Sequence, residues 1–297
     1  MTIVVQSVVT LVTLLVIARQ VAATTPPFLN PPLALTVLEI RFPELSGGFE
    51  EKTLHVVRQA VRDRLPLHES QTEDQIDLTP GAPVPVSVKR RPLLRFSSRD
   101  RTTVLLVKQD ALALETTAYA GWSQSFRPLV EEATRALGDA NPPDGVGRIG
   151  LRYIDEIRVP GVGEESGDWK GYINDHLLAA ANPEIIPSGM QAQQWQGIVQ
   201  YRTSPSSALT VRYGPQHGYA TDPGGSTRRR NPPPPGHFFL LDSDSYWSDE
   251  EEVPEYNPEW IMDRCDQLHA PASEFFTIAI TDRLRDEVFN AEQGETP

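Results

Sequence analysis

Two aspartates late in the chain stand at a spacing that could support chemistry. In the stretch HFFLLDSDSYW an apolar run, Phe238 to Leu241, is followed by Asp242 and Asp244. Because residues i and i+2 of an extended chain point to the same side, both carboxylates would face one way. Paired carboxylates can hold a divalent ion or exchange protons with a substrate, which gives one hypothesis: a metal-dependent hydrolase or nuclease that uses Asp242 and Asp244.

The surroundings of these aspartates favour a structural role instead. Carboxylates about 6–7 Å apart share a metal ion only where other ligands converge. Residues 249–252 are acidic but follow in a polar stretch, and His237 stands about 17 Å from Asp242 at ~3.4 Å per strand residue. We therefore expect the strand to end at Leu241, with Asp242 and Asp244 at a sheet edge as turn formers or as protection against edge-to-edge pairing. We predict no metal and no cofactor.

Charged residues on two strand-like segments form a second candidate site. In residues 148–159 mostly apolar odd positions alternate with mostly charged even positions, and residues 33–42 alternate similarly. If the two strands are neighbours, four side chains form a charge ladder on one sheet face: Glu39, Arg41, Arg152 and Glu156. This face is either a solvated surface with weak ion pairs or a binding surface, because two arginines on rigid strands can grip a carboxylate or phosphate. If the arginines are exposed, their replacement by alanine should lower the melting temperature only slightly.

The other residues with catalytic potential are isolated. The single cysteine, Cys265, stands four residues before His269 on a predicted helix, so both lie on one helical face. A small buried thiol is a commoner outcome than a catalytic pair. The sequence has no Gly-rich phosphate loop leading into a helix, no Gly-x-Ser-x-Gly and no Cys-x-x-Cys.

Composition indicates an acidic globular protein. The 297 residues are 39% hydrophobic and 23% charged, which is ordinary for a chain with a sizeable core. A formal net charge of −13 disfavours a general nucleic-acid binder. Two basic runs, at residues 89–91 and 228–230, have Pro- or Gly-rich neighbours and are expected to be solvated loops.

The first 31 residues are expected to be an extension, or a possible membrane segment, plus a proline-rich linker. Residues 2–18 are uncharged and apolar, at the lower limit of membrane-spanning length. A secretory signal would require a Lys or Arg before this apolar run, and none is present. We favour an extension outside the fold, dispensable for folding, with a membrane anchor as the alternative and a poor signal peptide as a third possibility. The protein is accordingly predicted to be cytoplasmic or, alternatively, membrane-anchored.

The remaining chain predicts an α+β fold with two similar halves, residues 32–160 and 161–297. The order β-β-β-α occurs twice, at residues 92–138 and 191–278. We expect a mainly antiparallel sheet with helices packed on one face. Predicted strands cover 33–42, 93–97, 103–108, 111–116, 148–159, 193–201, 208–213 and 237–241, and predicted helices cover 50–65, 123–137, 168–180 and 258–278. Residues 69–85 and 222–236 are expected to be a polar loop and a disordered loop.

Three motifs carry a family resemblance: PLALTVLEIRFPE, GRIGLRYIDEIRVP and LHAPASEFFTIAITDRL. In this order they resemble an uncharacterised bacterial family described as sporadically distributed, over residues 32–289. The sequence departs from the family pattern at Ala34, Leu35 and Asp155. The resemblance implies a bacterial protein, linked by its patchy distribution to mobile or defence genes, but it carries no activity over.

These observations favour a non-enzymatic binding protein. Its partner is expected to be another protein or a small anionic ligand, bound on the face that holds Glu39, Arg41, Arg152 and Glu156. The metal-dependent hydrolase or nuclease using Asp242 and Asp244 is the alternative.

Overall fold

A single large antiparallel sheet organises the molecule. The computed structural model describes residues 28–45, 51–77, 87–163, 169–181, 184, 186–190, 192, 195–249 and 251–292. Its strands are β1 (Leu33–Arg41), β2 (Leu67–Asp77), β3 (Ser87–Ser97), β4 (Thr103–Val107), β5 (Ala111–Thr116), β6 (Arg148–Ile157), β7 (Gly197–Ser204), β8 (Ser207–Gly218) and β9 (Gly236–Ser248). They lie in the order β2-β3-β4-β5-β1-β6-β9-β8-β7, and every neighbouring pair is antiparallel.

The helices lie between and after the strands in the chain, following β1, β5 and β9. They are α1 (Glu51–Val61), α2 (Arg127–Ala140), α3 (Pro258–Ala279) and the short α4 (Asp282–Leu284). A π-helical turn (Trp122–Phe126) precedes α2, another (Arg285–Phe289) follows α4, and a 3-10 segment covers Asp175–Ala181. Asn257 caps α3 by accepting hydrogen bonds from the backbone N–H groups of Glu259 and Trp260. Thr281 caps α4, since its hydroxyl accepts a hydrogen bond from the Leu284 N–H.

The strand order confirms the predicted α+β fold with two similar halves. The strands β1 and β6 pair with each other at the centre of the sheet. In the first half β3, β4 and β5 are joined by hairpins and lead to α2, and in the second half β7, β8 and β9 lead to α3. The last strand of each trio lies beside one of these two central strands, β5 beside β1 and β9 beside β6, and the trio extends outward from there. The extra strand β2 extends the first half by one position.

Alternation along the strands separates a buried face from an open one. In β1 the even positions, such as Leu38 and Ile40, are fully buried under the helix layer, and the odd positions are not. Helix residues such as Val57, Val130 and Ile261 complete the core on that side. Complete burial of a leucine- or isoleucine-sized side chain contributes about 1.5–3 kcal/mol, so this face supplies most of the driving force for folding. The opposite face, which carries Glu39, is called the open face below.

The structure differs from the predicted loop at residues 69–85. Residues 69–77 belong to β2, which pairs with β3 at one edge of the sheet, and residues 78–85 lie outside the described part. The prediction was wrong because β2 is almost entirely polar (LHESQTEDQID), so it lacks the apolar alternation that marks a half-buried strand. The basic run at 89–91 likewise belongs to β3, where Arg91 pairs with Asp110 at 3.2 Å.

The insert between β8 and β9 is ordered against the open face, contrary to the predicted disordered loop. This segment, residues 219–235, is called the strap. The backbone N–H of Arg228 donates to the Arg101 carbonyl (2.8 Å), and the Thr227 hydroxyl donates to the Glu115 carboxylate (2.6 Å). The strap therefore starts in the second half and lies over strands of the first half. Its Pro- and Gly-rich composition resembles that of a disordered segment, and only these long-range contacts set it apart.

The described chain begins against its own C-terminal end. Phe28 packs on Phe276 and Phe289, and the backbone N–H of Asn30 donates to the Phe289 carbonyl at 2.8 Å. These contacts start four residues before Pro32. Residues 2–18 lie outside the described part. Within that part, no helix combines the length and the apolar character needed to cross a membrane.

Candidate functional site

Asp242 and Asp244 lie within β9, an internal strand between β6 and β8. In the register Asp242 stands opposite Arg212 of β8, and Asp244 stands opposite Arg152 of β6. The expected strand end at Leu241, with both aspartates at a sheet edge, is therefore wrong. The strand continues past Leu241, and Ser243 is buried on its core face. A serine at a core position gives no hydrophobic signal, so the sequence pattern did not show this continuation.

The Asp242 carboxylate is held between two arginines on the open face. Its side chain is 4% exposed. Arg152 grips it bidentately, with Nε donating to Oδ1 and Nη2 to Oδ2, both at 2.7 Å. Arg212 approaches the same Oδ2 through Nη1 at 3.5 Å. This hydrogen bonding to Asp242 raises the pKa of Arg152, which keeps its guanidinium charged.

Both arginines keep hydrogen-bonding capacity toward solvent. Their side chains are 44% and 37% exposed. Among the described residues, Nη1 of Arg152 and both Nε and Nη2 of Arg212 have no acceptor. A buried carboxylate thus contacts two partly exposed guanidinium groups on the open face, each of which keeps N–H donors without an acceptor among the described residues. Such donors match the oxygens of a carboxylate or phosphate. Arg152, Asp242 and Arg212 are called the arginine pair site below.

Further charged and aromatic groups border this site. Asp244 lies near Arg148, with 3.9 Å between Oδ2 and Nη2, and burial raises the pKa of its carboxyl although Arg148 and Arg152 oppose that shift. The Arg148 guanidinium stacks over the Tyr246 ring at 5.1 Å, and the Tyr246 hydroxyl accepts a hydrogen bond from Gln200. These contacts hold Arg148 on the open face beside the arginine pair site.

The four residues of the predicted charge ladder share the open face but form separate pairs. Glu39 accepts a hydrogen bond from its strand neighbour Arg41 and lies 3.7 Å from Arg148. In the register Arg41 stands opposite Arg148, and Arg152 stands opposite Val37. Arg152 therefore pairs with Asp242 instead of Glu39. The sequence identified the correct face but not the partners on it.

Glu156, the fourth predicted site residue, lies beneath the strap. Its side chain has no exposure. It accepts hydrogen bonds from Arg158 Nε (2.7 Å) and from the backbone N–H of Ala220 (2.8 Å), and Arg229 Nη1 lies 2.8 Å away. Burial alone would raise the pKa of Glu156, but these donors outweigh it and lower the pKa. Glu156 therefore fastens the strap to the sheet and does not face solvent.

The alternative metal centre at Asp242 and Asp244 finds no additional ligands among the described residues. In the described part of the chain, no group of three or more His, Cys, Asp or Glu residues is arranged to hold a metal ion. Both oxygens of Asp242 already accept hydrogen bonds from guanidinium groups. A carboxylate engaged in this way would have to give up the arginines before it could bind a cation.

A polar cluster on the helix side of the sheet includes the cysteine and histidine noted in the sequence. The Tyr153 hydroxyl lies 2.9 Å from Nδ1 of His269, whose ring stacks on Trp122. Burial lowers the pKa of His269 to about 4 and raises the pKa of the fully buried Cys265. A neutral histidine bonded to a tyrosine, beside a thiol that resists ionisation, favours the structural role for Cys265.

Arg152 and Arg41 occupy similar positions in the sequence pattern, but we expect their replacement to change the free energy of unfolding by different amounts. Arg152→Met should lower the free energy of unfolding by about 2 kcal/mol, because it leaves the buried Asp242 with one long contact to Arg212. Arg41→Met should cost less than about 0.5 kcal/mol, because the Arg41 side chain is 61% exposed. Urea unfolding of both variants measures the difference, and equal losses would contradict the assigned role of Arg152.

Arg212 is the site residue that sequence reasoning missed. It lies in the predicted strand 208–213, on the same face as Thr210, and no local pattern distinguishes it from a solvated arginine. Only the order β6-β9-β8 brings it to Asp242.

Comparison with known proteins adds no family to this description. A scan of the chain against protein-family models gives no match, and a search of curated proteins also finds no significant match.

Proposed function

We propose that the protein is a non-enzymatic binding protein that captures a negatively charged group at the arginine pair site. The observation that carries this proposal is the set of guanidinium N–H donors on Arg152 and Arg212 that point away from Asp242 and have no acceptor among the described residues. An anion placed there would complete the hydrogen bonding of both groups.

The position of the site on internal strands supports recognition. The arginines lie on β6 and β8, each hydrogen-bonded to β9 between them, so their backbones are fixed by the sheet. Asp242 further restricts their side chains, which reduces the conformational entropy lost when an anion binds. A metal-dependent hydrolase would need the Asp242 and Asp244 carboxylates as ligands, and both oxygens of Asp242 already accept hydrogen bonds from Arg152. Binding is therefore favoured over the alternative of a hydrolase or nuclease at Asp242 and Asp244.

A thermal-shift experiment with a panel of anions tests this proposal. Inorganic phosphate, citrate and penta-glutamate are added separately to the parent protein, to an Arg152→Met/Arg212→Met double variant and to Arg62→Met. Arg62 follows α1, is 70% exposed and serves as a charge-matched control away from the open face. We expect at least one anion to raise the melting temperature of the parent and of Arg62→Met by a few degrees, because binding to the native state adds stability.

The double variant should show no such rise. Each protein is compared with itself at zero ligand, so a lower starting stability of the variant does not affect the conclusion. The proposal fails if no anion stabilises the parent, or if the double variant responds as strongly as the parent does.

A further inference from the structure

The strap shows how arginines of the open face bind a polypeptide segment. Arg95 of β3 donates through Nη2 to the Ser226 carbonyl at 2.6 Å. Arg158, which follows β6, donates to the Gly218 carbonyl at 2.6 Å and to the Pro234 carbonyl at 3.2 Å. Guanidinium groups on or next to the sheet thus meet two strap carbonyls, at Ser226 and Pro234, and the carbonyl of Gly218, where β8 passes into the strap.

An arginine of the arginine pair site is anchored in the same way as Arg158, but it is more exposed. Arg158 is anchored by the buried carboxylate of Glu156, and Arg152 is anchored by the buried carboxylate of Asp242, each through Nε at 2.7 Å. The first of these anchored arginines is largely covered by the strap. The second is about half exposed, and its Nη1, the atom through which Arg158 donates to the Pro234 carbonyl, has no acceptor among the described residues.

The charge and shape of this region indicate what would cover it. With Glu39 and Arg41, which adjoin Arg148, four guanidinium groups (Arg41, Arg148, Arg152 and Arg212) stand against three carboxylates (Glu39, Asp242 and Asp244), so the region has an excess of one positive charge on a chain of net charge −13. It is bordered by Ile198, 64% exposed, which stands opposite Arg212 on β7. An exposed apolar side chain beside arginines on a sheet face suits a polypeptide contact, whereas small-molecule sites are concave.

We infer that the arginine pair site docks an extended acidic segment of a partner protein. This inference rests on the proposed function and specifies its partner. The segment lies across β6, β9 and β8 beside the strap. Its carboxylates meet N–H donors of Arg152 and Arg212, and its backbone carbonyls accept the remaining ones, as the Pro234 carbonyl accepts from Arg158.

Titration calorimetry of the full chain with three probes tests the inference. The probes are an acetylated (Gly-Glu)₅ peptide, N-acetylglutamate and inorganic phosphate. We expect the peptide to bind at least about tenfold more tightly than either small anion, because several arginine hydrogen bonds act together. Arg212→Met should weaken peptide binding on the order of tenfold, and Arg62→Met should leave it unchanged.

The outcomes separate this inference from the proposed function. If N-acetylglutamate or phosphate binds as tightly as the peptide and with the same dependence on Arg212, the acidic-segment inference is wrong and anion recognition stands. If no probe binds, or if Arg152→Met and Arg212→Met leave every affinity unchanged, both proposals are wrong.

Discussion

Glu156→Ala is expected to lower the free energy of unfolding by about 3 kcal/mol, because it removes the acceptor from a buried cluster. Arg158, Arg229 and the Ala220 N–H all lose a carboxylate at once, and the two arginine side chains are mostly buried. The strap should loosen before the sheet unfolds, because Glu156 lies where the strap leaves β8. The basic run 228–230 should then become a preferred site of tryptic cleavage.

Urea unfolding and limited trypsin digestion measure the two effects separately. Glu274→Ala is a suitable control, since Glu274 is exposed on α3 and lies on the helix side. Glu156→Gln should give an intermediate loss, because the amide oxygen still accepts hydrogen bonds but the charge is gone. A Glu156→Ala protein that unfolds and is digested like the control would show that the strap holds without this carboxylate.

Asp155→Asn is expected to stabilise the protein at pH 8 by several kcal/mol. Asp155 is 4% exposed on the helix face of β6, and its carboxyl has no hydrogen-bond partner among the described residues. Burial, with a smaller contribution from the nearby Asp242, raises its pKa to about 8. The unfolded chain releases this proton near pH 4, while the folded protein retains it to about pH 8. The contribution of Asp155 to stability is therefore greatest below pH 4 and is lost as pH rises through this window.

Thermal unfolding at intervals between pH 4 and pH 9 measures this difference. The gain of Asp155→Asn over the parent should be small near pH 4, should grow as pH rises and should level off above about pH 8. The comparison is made at each pH because His269, whose pKa is lowered, acts in the opposite direction below about pH 6.5. Asp63→Asn, at an exposed position, should change nothing. A variant less stable than the parent at pH 8 would show that the ionised Asp155 makes a favourable contact.

Local sequence patterns predicted the elements that bury one regular face. Alternation located β1 and β6, and the predicted helix 258–278 matches α3 within a residue at its C-terminal end. These elements take their signal from side chains that repeat with the backbone period, so neighbouring positions reinforce one another. The polar edge strand β2 and the serine-containing end of β9 do not repeat in this way, and both were missed.

The candidate site could be predicted only as a face. Alternation placed Arg152 and Glu156 on one side of a strand, but it could not show that one borders solvent and the other lies beneath the strap. That difference comes from contacts between residues far apart in sequence, such as Glu156 with Ala220 and Arg152 with Asp242. Strand order and the course of a long connection fix these contacts, and neither leaves a periodic trace in the sequence.

The strap also bears on how many copies of a partner the sheet can bind. Two similar halves side by side would ordinarily offer two equivalent surfaces to a partner. The strap leaves the second half and fastens to the first through Arg95, Glu115 and Arg101, so the first half already carries a segment from its neighbour. A titration of the intact chain should therefore saturate at one equivalent of bound partner, because the strap already lies on the corresponding surface of the first half.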